Sequence, residues 1–482
     1  MEAFLKILSD EERNEVHERT LKILANTGVR VDTARGRKIL SQAGAVVDEN
    51  TKVVRFPRSL VEECLRITCK QFTLGGRRPG YSLPMNAGEC TLVMDGEGVF
   101  AYDSQTNERR PSTMDDFLAA TRLCDAIDEV GVFWEIVEGG RSEGSIGEYA
   151  EYWHKVICHF SKHMQDSPFN PEESRWMLEI LGAVFGGKEA MRRQNPFSFL
   201  VCPLSPLILE EYYTDAYLET VGWNIPIAVM TMPVMGLTSP ATLIATTVLF
   251  NAETLAMLCL TQAAQPGTPF IYAAAPASME PHYARFTGGG VENGLLSSAV
   301  TEMARYYGLP VEATTGGSDH HAPSIQAAYE RALNWTCPVL SWPDLLVGPG
   351  LLSGAMILSL EQLLLDVEVF KRCKRFHRGI DASQDKWLDD LIDQIGHGGN
   401  YLKERSTHKS LRSGEWYIGS LGITDPYERW EEMGKPDVLQ QARERVNKIL
   451  AEHQPLPLDE AVEAEIKRIV KCAYESEIDK TK

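Results

Sequence analysis

Long uninterrupted apolar runs are missing from this 482-residue sequence. The longest apolar tract, MTMPVMGLTSPATLIATTVLF, is broken by Pro233 and Pro240 and dotted with threonines, which argues against a membrane span. The N-terminus, MEAFLKILSDEERNEV, lacks a basic-then-apolar signal pattern, so a cytoplasmic location is expected. Paired cysteines are missing too. The ten cysteines are scattered from Cys64 to Cys472 with no C-x-x-C spacing, and they read as buried reduced thiols. Positive charge is scarce: 48 Lys and Arg stand against 67 Asp and Glu, a net charge of −19, with no basic block. No nucleic-acid or membrane partner is expected, and cationic small molecules are mildly favoured. Dinucleotide and phosphate fingerprints are absent from any strand-turn-helix setting. The triple glycine at 288–290 follows PHYARFT and fits neither pattern.

What is present is a rhythm. Residues 9–27 read as a helix, with Ser9 and Glu12 as a capping box, and SLVEECLRI (59–67) reads as a second helix behind Pro57. From Phe72 to Asp103, glycine turns alternate with FTLG, CTLVM and VFAYD, which suggests a small β-rich subdomain. From Ser112, short apolar runs alternate with long helical patterns. The runs are VFWEIVE (132–138), HMQDS (163–167), FSFLVC (197–202), IAVMTM (227–232), FIYAAA (270–275), VEATTG (311–316) and VLSWP (339–343). These seven strand–helix units, with an eighth strand near Ala355–Ser359, predict an α/β fold: a (β/α)8 TIM barrel with an N-terminal helical and small β-rich extension. The expected division is 1–111 for that extension, 112–430 for the barrel and 431–482 for C-terminal helices packing on it.

In such a barrel, chemistry sits where strands end and loops begin. That rule selects Glu135, Glu138, Gln165, Asp166, Ser205, Met230, Met232, Tyr272, Met279, Thr315 to His321, and Trp342 with Asp344. Asp319, His320 and His321 invite a metal. Adjacent side chains diverge, however, and His282, His159 and His163 offer no ligand spacing, so no protein-bound metal is expected. Asp319 reads as a turn or cap acid, whereas the glycines before His320 and His321 let backbone approach a ligand. Tyr272, Trp342, Trp134, Met230 and Met232 read singly as core. Gathered at one mouth they would make a cage for a quaternary ammonium, each favourable cation–π contact giving roughly 0.5–2 kcal/mol.

The block from Ile225 to Arg378 resembles the trimethylamine methyltransferase family, in its branch without pyrrolysine. The stretches that carry the resemblance are NIPIAVMTMPVMGLTSPATLIATTVLFNAETLAML, TPFIYAAAPASMEPHYARFTGGGVENGLLSSAVTEMARYYGLP, GGSDHHAPSIQAAYERAL and GAMILSLEQLLLDVEVFKR. GEGVFAYDSQTNERRPSTMDDF upstream and GHGGNYLKERSTH downstream extend it over nearly the whole chain. The resemblance implies a barrel that moves a methyl group from a quaternary amine, glycine betaine foremost, to the Co(I) of a corrinoid (cobalamin) held by a separate cognate protein. Proline betaine and carnitine are alternative donors. A betaine would add a need for a carboxylate partner, for which His320, His321 and Arg285 are candidates. GGGVEN (288–293) and GHGGNY (396–401) are candidate rim loops for docking the corrinoid protein, and a homo-oligomer is possible. Two other readings stay open from the residues alone: a metal-dependent hydrolase built on the Asp-His-His loop, and a non-catalytic betaine-binding barrel.

Overall fold

The computed structural model describes residues 2–139 and 145–480. Eight parallel strands close into a barrel. In chain order they are β1 (Thr91–Val93), β2 (Val130–Phe133), β3 (His163–Asp166), β4 (Phe197–Val201), β5 (Ile227–Thr231), β6 (Phe270–Ala274), β7 (Val311–Thr314) and β8 (Leu345–Val347). The ring is sealed by β8 against β1, with Leu345 opposite Thr91 and Val347 opposite Val93. Around it run α1 (Met114–Ala126), α2 (Ile146–His159), α3 (Pro171–Phe185), α4 (Glu211–Leu218), α5 (Leu243–Ala264), α6 (Val291–Tyr307), α7 (Ile325–Ser341) and α8 (Leu360–His377).

Local chemistry accounts for the element ends. Ser9 and Glu12 form the reciprocal box that starts the first helix, and Thr113 with Asp116 repeats it at α1. α3 begins at Asn170 followed by Pro171 and ends at left-handed Gly186. α5 is long and apolar enough to cross a membrane, but 83% of that stretch is buried here, between the barrel and its neighbouring helices. Two C-terminal helices, α9 (Val438–Glu452) and α10 (Glu460–Lys480), pack on α8 and α1, and on α2 and α3, respectively.

Three expectations need correction. CTLVM supplies the first barrel strand, so the barrel starts at Thr91 rather than at 112. VLSWP is not a strand: Val339 and Ser341 end α7, which tolerates Pro338 in its last turn, and the barrel strand is the LLV that follows. Ile357–Leu358 pairs with Phe100 and Ala101 in a small four-stranded sheet outside the barrel. The two-stranded hairpin Thr73–Gly75 with Ser82–Pro84 lies against the amino end of the barrel, where Gly75 accepts from His163 Nδ1 at 2.9 Å.

Candidate active site

Strand parity decides which side chains see the barrel lumen, because paired residues of parallel neighbours share a face. Gln165 pairs with Ser198, Met230 with Ala273, Ala273 with Glu312, and Glu312 with Leu345. Gln165 and Glu312 stand on β3 and β7, on opposite sides of the ring, yet Gln165 Nε2 donates to Glu312 Oε2 at 2.9 Å. These residues therefore point inward, and their hydrogen bond spans the lumen.

A directional chain of hydrogen bonds leads to that pair from the amino end. The Gly75 carbonyl can only accept, so His163 Nδ1 carries a proton. Burial pushes the His163 imidazole down to about 4, keeping it neutral, so its Nε2 accepts from Ser198 Oγ at 2.9 Å. Ser198 Oγ then accepts from Gln165 Nε2 at 3.2 Å. Both uses of the Gln165 amide nitrogen are fixed, and its Oε1 is left over. Gln165 Oε1 and Glu312 Oε1 are buried without a hydrogen-bond partner among the described residues. With Glu312 ionised, this pair offers only acceptor oxygens to the lumen. Native structures rarely leave such atoms empty-handed, which marks the place a cation or donor would occupy.

The lumen and the strand ends above it carry tunable charge. Burial raises Glu312 to about 7 against the pull of Gln165. Asp95, just past β1, keeps some accessible surface yet lies deep in the molecule. Burial lifts it to about 6, while the Arg331 guanidinium opposes the shift. Cys202, past β4, is raised by burial first and then by Glu97 and Glu312, so the same field reaches it. Trp134 follows β2 on the inward parity and is buried. A Cβ on Gly96 would sit 2.6 Å from the Trp134 ring, so only glycine lets that loop lie against the indole. Trp134 Nε1 has no partner among the described residues. Met230 is buried on the inward face of β5, and Met232, two residues on, is 42% exposed at the rim.

The loop after β7 is braced rather than loose. Asp319 accepts from Thr287 Oγ1, from Gly288 N at 2.9 Å and from Gly289 N at 3.2 Å. Glu330 on α7 accepts from Ser318 Oγ at 2.6 Å and Asp319 N at 3.0 Å. Gly288 packs so closely on Gly317 and Gly354 that a Cβ would stand 3.2 Å from either Cα, which locks the loops after β6, β7 and β8 together. Below them, buried Arg331 donates to the carbonyls of Gly348 (2.6 Å) and Leu351, and pairs with Asp366 at 3.6 Å. His320 Nδ1 lies 2.7 Å from the Ala322 carbonyl and 3.2 Å from Ala322 N, His321 Nδ1 meets Ser353 Oγ at 2.8 Å, and their rings lie 6.4 Å apart. Among the described residues, no three His, Cys, Asp or Glu side chains converge as metal ligands.

Residues 2–475 match the trimethylamine methyltransferase (MTTB) family. The chain belongs to this family. It is 30% identical to the trimethylamine methyltransferase MttB of Desulfitobacterium hafniense over 464 residues, covering 96% of this chain and 92% of that one. It is 29% identical to MttB of Methanosarcina thermophila over 461 residues, 94% of this chain and 95% of that one. It is also 26% identical to a glycine betaine methyltransferase of D. hafniense over 466 residues, 96% of each chain. The monomethylamine methyltransferase MtmB of Methanosarcina barkeri shares the fold, with a TM-score of 0.50 at 10% identity, over 91% of this chain and 92% of that one. The protein is a methyltransferase with the family's barrel.

Within this methyltransferase the structure separates the residues picked from sequence. Trp134, Met230 and Met232 come to the lumen and its rim, and His320 and His321 to a braced loop at the carboxyl end. Tyr272 does not: it sits on the outward parity of β6, fully buried, with its hydroxyl donating to Asn251 of α5 at 2.7 Å. Trp342 lies at the opposite end of the barrel. It ends α7 in the left-handed conformation (φ 60°), stacks on His377 at 3.5 Å and donates to the Gly88 carbonyl at 2.9 Å. Its neighbour Asp344 is likewise tied to Asn86 N and Val311 N. Arg285 is exposed on a hairpin, across from Glu280. GHGGNY belongs to a segment that leaves and rejoins the barrel at its amino end, not to the rim. The string at 140–144, GRSEG, does fit the G-x-S-x-G serine-hydrolase pattern, and it lies outside the described residues.

Glu312 and Asp95 were not singled out from sequence. The signal was there: a lone carboxylate between Val311 and Ala313 in an otherwise apolar parallel strand is a buried charge, and buried charges are paired or functional. Asp95 was masked by the glycine turn around it.

Proposed function

We propose that the protein moves a methyl group from a quaternary amine, glycine betaine foremost, to the Co(I) of a corrinoid carried by a separate protein. The observation that carries this reading is the pair of unpartnered oxygens that Gln165 and Glu312 place in the lumen, acceptors both when Glu312 is ionised. A quaternary nitrogen has no N–H to donate, and its positively polarised methyls suit oxygens that lack partners. Trp134 adds an indole beside that floor, and Met230 and Met232 add polarisable thioethers.

The chemistry asks little of the protein beyond placement. The C–N bond breaks with its electron pair left on nitrogen, so the departing tertiary amine is neutral and needs no proton. The corrinoid supplies the nucleophile and takes the methyl carbon. Bringing three centres into line is an entropic task, met by loops interlocked through Gly288, Gly317 and Gly354. Anchoring must stay moderate, because the positive charge fades as the methyl leaves. A Glu312 carboxyl held near neutrality is a softer anchor than a permanent carboxylate. The open rim presents Met232, Leu237, Phe286, Ile325 and Met356 as exposed apolar side chains, which suits a macrocycle held by another protein. A betaine carboxylate would meet His320 or His321.

The test is methyl transfer to reduced cobalamin, followed by visible absorbance, across glycine betaine, proline betaine, carnitine, choline and trimethylamine. Methylation with one quaternary amine well above the rest is expected. No absorbance change with any quaternary amine refutes the reading, and turnover with trimethylamine alone redirects it.

A further inference from the structure

The acid excess of the chain has a local exception at the end of α8. Lys371, Lys374, Arg375 and Arg378 stand at i, i+3, i+4 and i+7, so they share one face of its last two turns and its cap. A helix C-terminus welcomes cations, which accounts for their presence in the final turn. It does not account for what they surround. That face forms one wall of a cavity of about 340 Å³, a volume within the range of small-molecule sites, about 300–1,000 Å³. The facing wall is the returning segment 414–420, which contributes Trp416 and Ser420, and Glu129 at the entry to β2 also lines the space.

The charges around this cavity do not cancel. Four cations meet a single lining carboxylate, Glu129, which pairs with Lys371 at 2.9 Å. Arg375 is spent on structure. Its Nε and Nη2 donate to the Glu415 carbonyl at 3.0 and 2.7 Å, and its Nη1 donates to the Gly379 carbonyl at 2.8 Å, which holds the facing wall in place. The Glu415 carboxylate turns to Lys386 at 3.2 Å and stays 3.9 Å from Arg375. Lys374 sits over the rings of Trp342 (5.7 Å) and Phe370 (5.3 Å) and reaches the Cys90 carbonyl at 3.4 Å. Among the described residues, no carboxylate pairs with Lys374 or Arg378. Gly414, at φ 81°, brings the wall so near that a Cβ there would stand 3.3 Å from Arg378 Nη1. Trp416, 57% exposed, adds an indole to the same wall.

We propose that this cavity binds a phosphorylated nucleoside. Lys374 and Arg378, the cations without a carboxylate, call for a ligand with more than one negative charge. The planar fork of arginine matches phosphate oxygens in pairs, and lysine adds a point charge. A lone inorganic anion would leave Trp416 and most of the volume unused, whereas a base stacks on an indole. Location separates this ligand from the methyl donor. The cavity lies at the amino end of the barrel, and the 18 residues of α8 carry it about 27 Å from the loops after β8. The net charge of −19 repels an anion at long range, so binding rests on these short-range contacts.

Calorimetry on the full chain tests this with ADP, GDP and UDP against adenosine and inorganic diphosphate. At least one nucleotide should bind in the micromolar range, about tenfold tighter than diphosphate, and adenosine should not bind. Arg378→Glu should weaken the nucleotide about 100-fold. Trp416→Ala should weaken it about tenfold and leave diphosphate unchanged. Both side chains are exposed, and an unchanged far-UV circular dichroism spectrum checks each variant. No binding of any nucleotide at millimolar concentration overturns the proposal, as does binding that survives Arg378→Glu. Diphosphate or adenosine binding as tightly as the nucleotides overturns it too. Should a variant fail to fold, hydrogen exchange on the wild type decides. The nucleotide should slow exchange within 414–420, and protection confined to other segments refutes the site. None of these readouts depends on methyl transfer, so this proposal and the proposed activity fail separately.

Discussion

Two sets of buried polar groups, one at each end of the barrel, are treated in opposite ways. At the amino end, Lys162 is buried and donates to three carbonyls, Cys124 at 3.2 Å, Ile127 at 2.5 Å and Val130 at 2.5 Å. His163 uses both ring nitrogens, and Asp125 accepts from Ser161, Arg78 and His453. At the carboxyl end, Gln165 Oε1, Glu312 Oε1, Trp134 Nε1 and Ser167 Oγ are buried with no partner among the described residues. Satisfied groups hold a fold together; an unsatisfied group that faces a lumen is one a ligand can complete. The same hydrogen-bond chain joins the two regimes, closed at Gly75 and open at Glu312.

Substitutions at the two ends should therefore separate stability from activity. Lys162→Met strips three carbonyls of a charged donor in a dry place. It should cost about 3–5 kcal/mol, read as a lower urea midpoint, with the remaining folded enzyme keeping its KM. Glu312→Gln should do the reverse. It keeps the shape, and removes a carboxyl that burial raises to about 7 from an ordinary value near 4.5. The folded state binds that proton more tightly than the unfolded chain, so this group lowers stability as pH rises from about 4.5 to 7. At pH 8 the penalty is on the order of 3 kcal/mol, and the glutamine variant should lack it. Its kcat/KM for a quaternary amine should nevertheless fall by about 100-fold, because the floor loses its negative charge. A less stable Glu312→Gln enzyme with full activity would erase the contrast.

The pH dependence of binding sharpens the comparison at one site. A cation stabilises the ionised carboxylate, so wild-type affinity for tetramethylammonium should weaken as pH falls through about 7. A drop of about tenfold between pH 8 and 6, measured by calorimetry, is expected, with Glu312→Gln nearly flat above pH 7. The hydrogen-bond chain predicts more. His163→Asn keeps a donor toward Gly75 and an acceptor toward Ser198, so its profile should follow the wild type. His163→Met frees the Ser198 hydroxyl, lets the Gln165 amide turn, and should shift the profile.

Much of the architecture was legible because βα periodicity is coarse and repeated. The capping boxes at Ser9 and Thr113 and the strands from FSFLVC to VEATTG lie where apolar runs and turn residues place them. The misreadings share a cause: strands of three residues carry too little pattern. Thr91–Val93 reads as a strand but, flanked by glycine turns, is assigned to a separate β-rich subdomain, and Leu345–Val347 is upstaged by the β-branched end of α7. For the site, the sequence offers side-chain types at strand ends but does not fix the direction in which each one points. Tyr272 and Trp342 are large and near strand ends, but one residue of parity turns the first outward, and a helix end puts the second at the wrong pole. Glu312 went unnoticed because its meaning lies in its partner on the far side of the ring, 147 residues away.

Tyr272 gives the smallest effect and the strictest check on parity. It sits between Ile271 and Ala273, whose side chains face the lumen, so a shift of one residue would make it a second cation–π group beside Trp134. In the observed register its hydroxyl is spent on Asn251, which also receives nothing from the site but binds Thr20 and Tyr307 through its amide nitrogen at 2.9 Å each. Tyr272→Phe should then cost about 1 kcal/mol of stability through that lost hydrogen bond and leave affinity for a quaternary amine within twofold. A tenfold change in affinity without loss of stability would mean that β6 presents its other face to the lumen, and the Met230–Ala273–Glu312 row would turn with it.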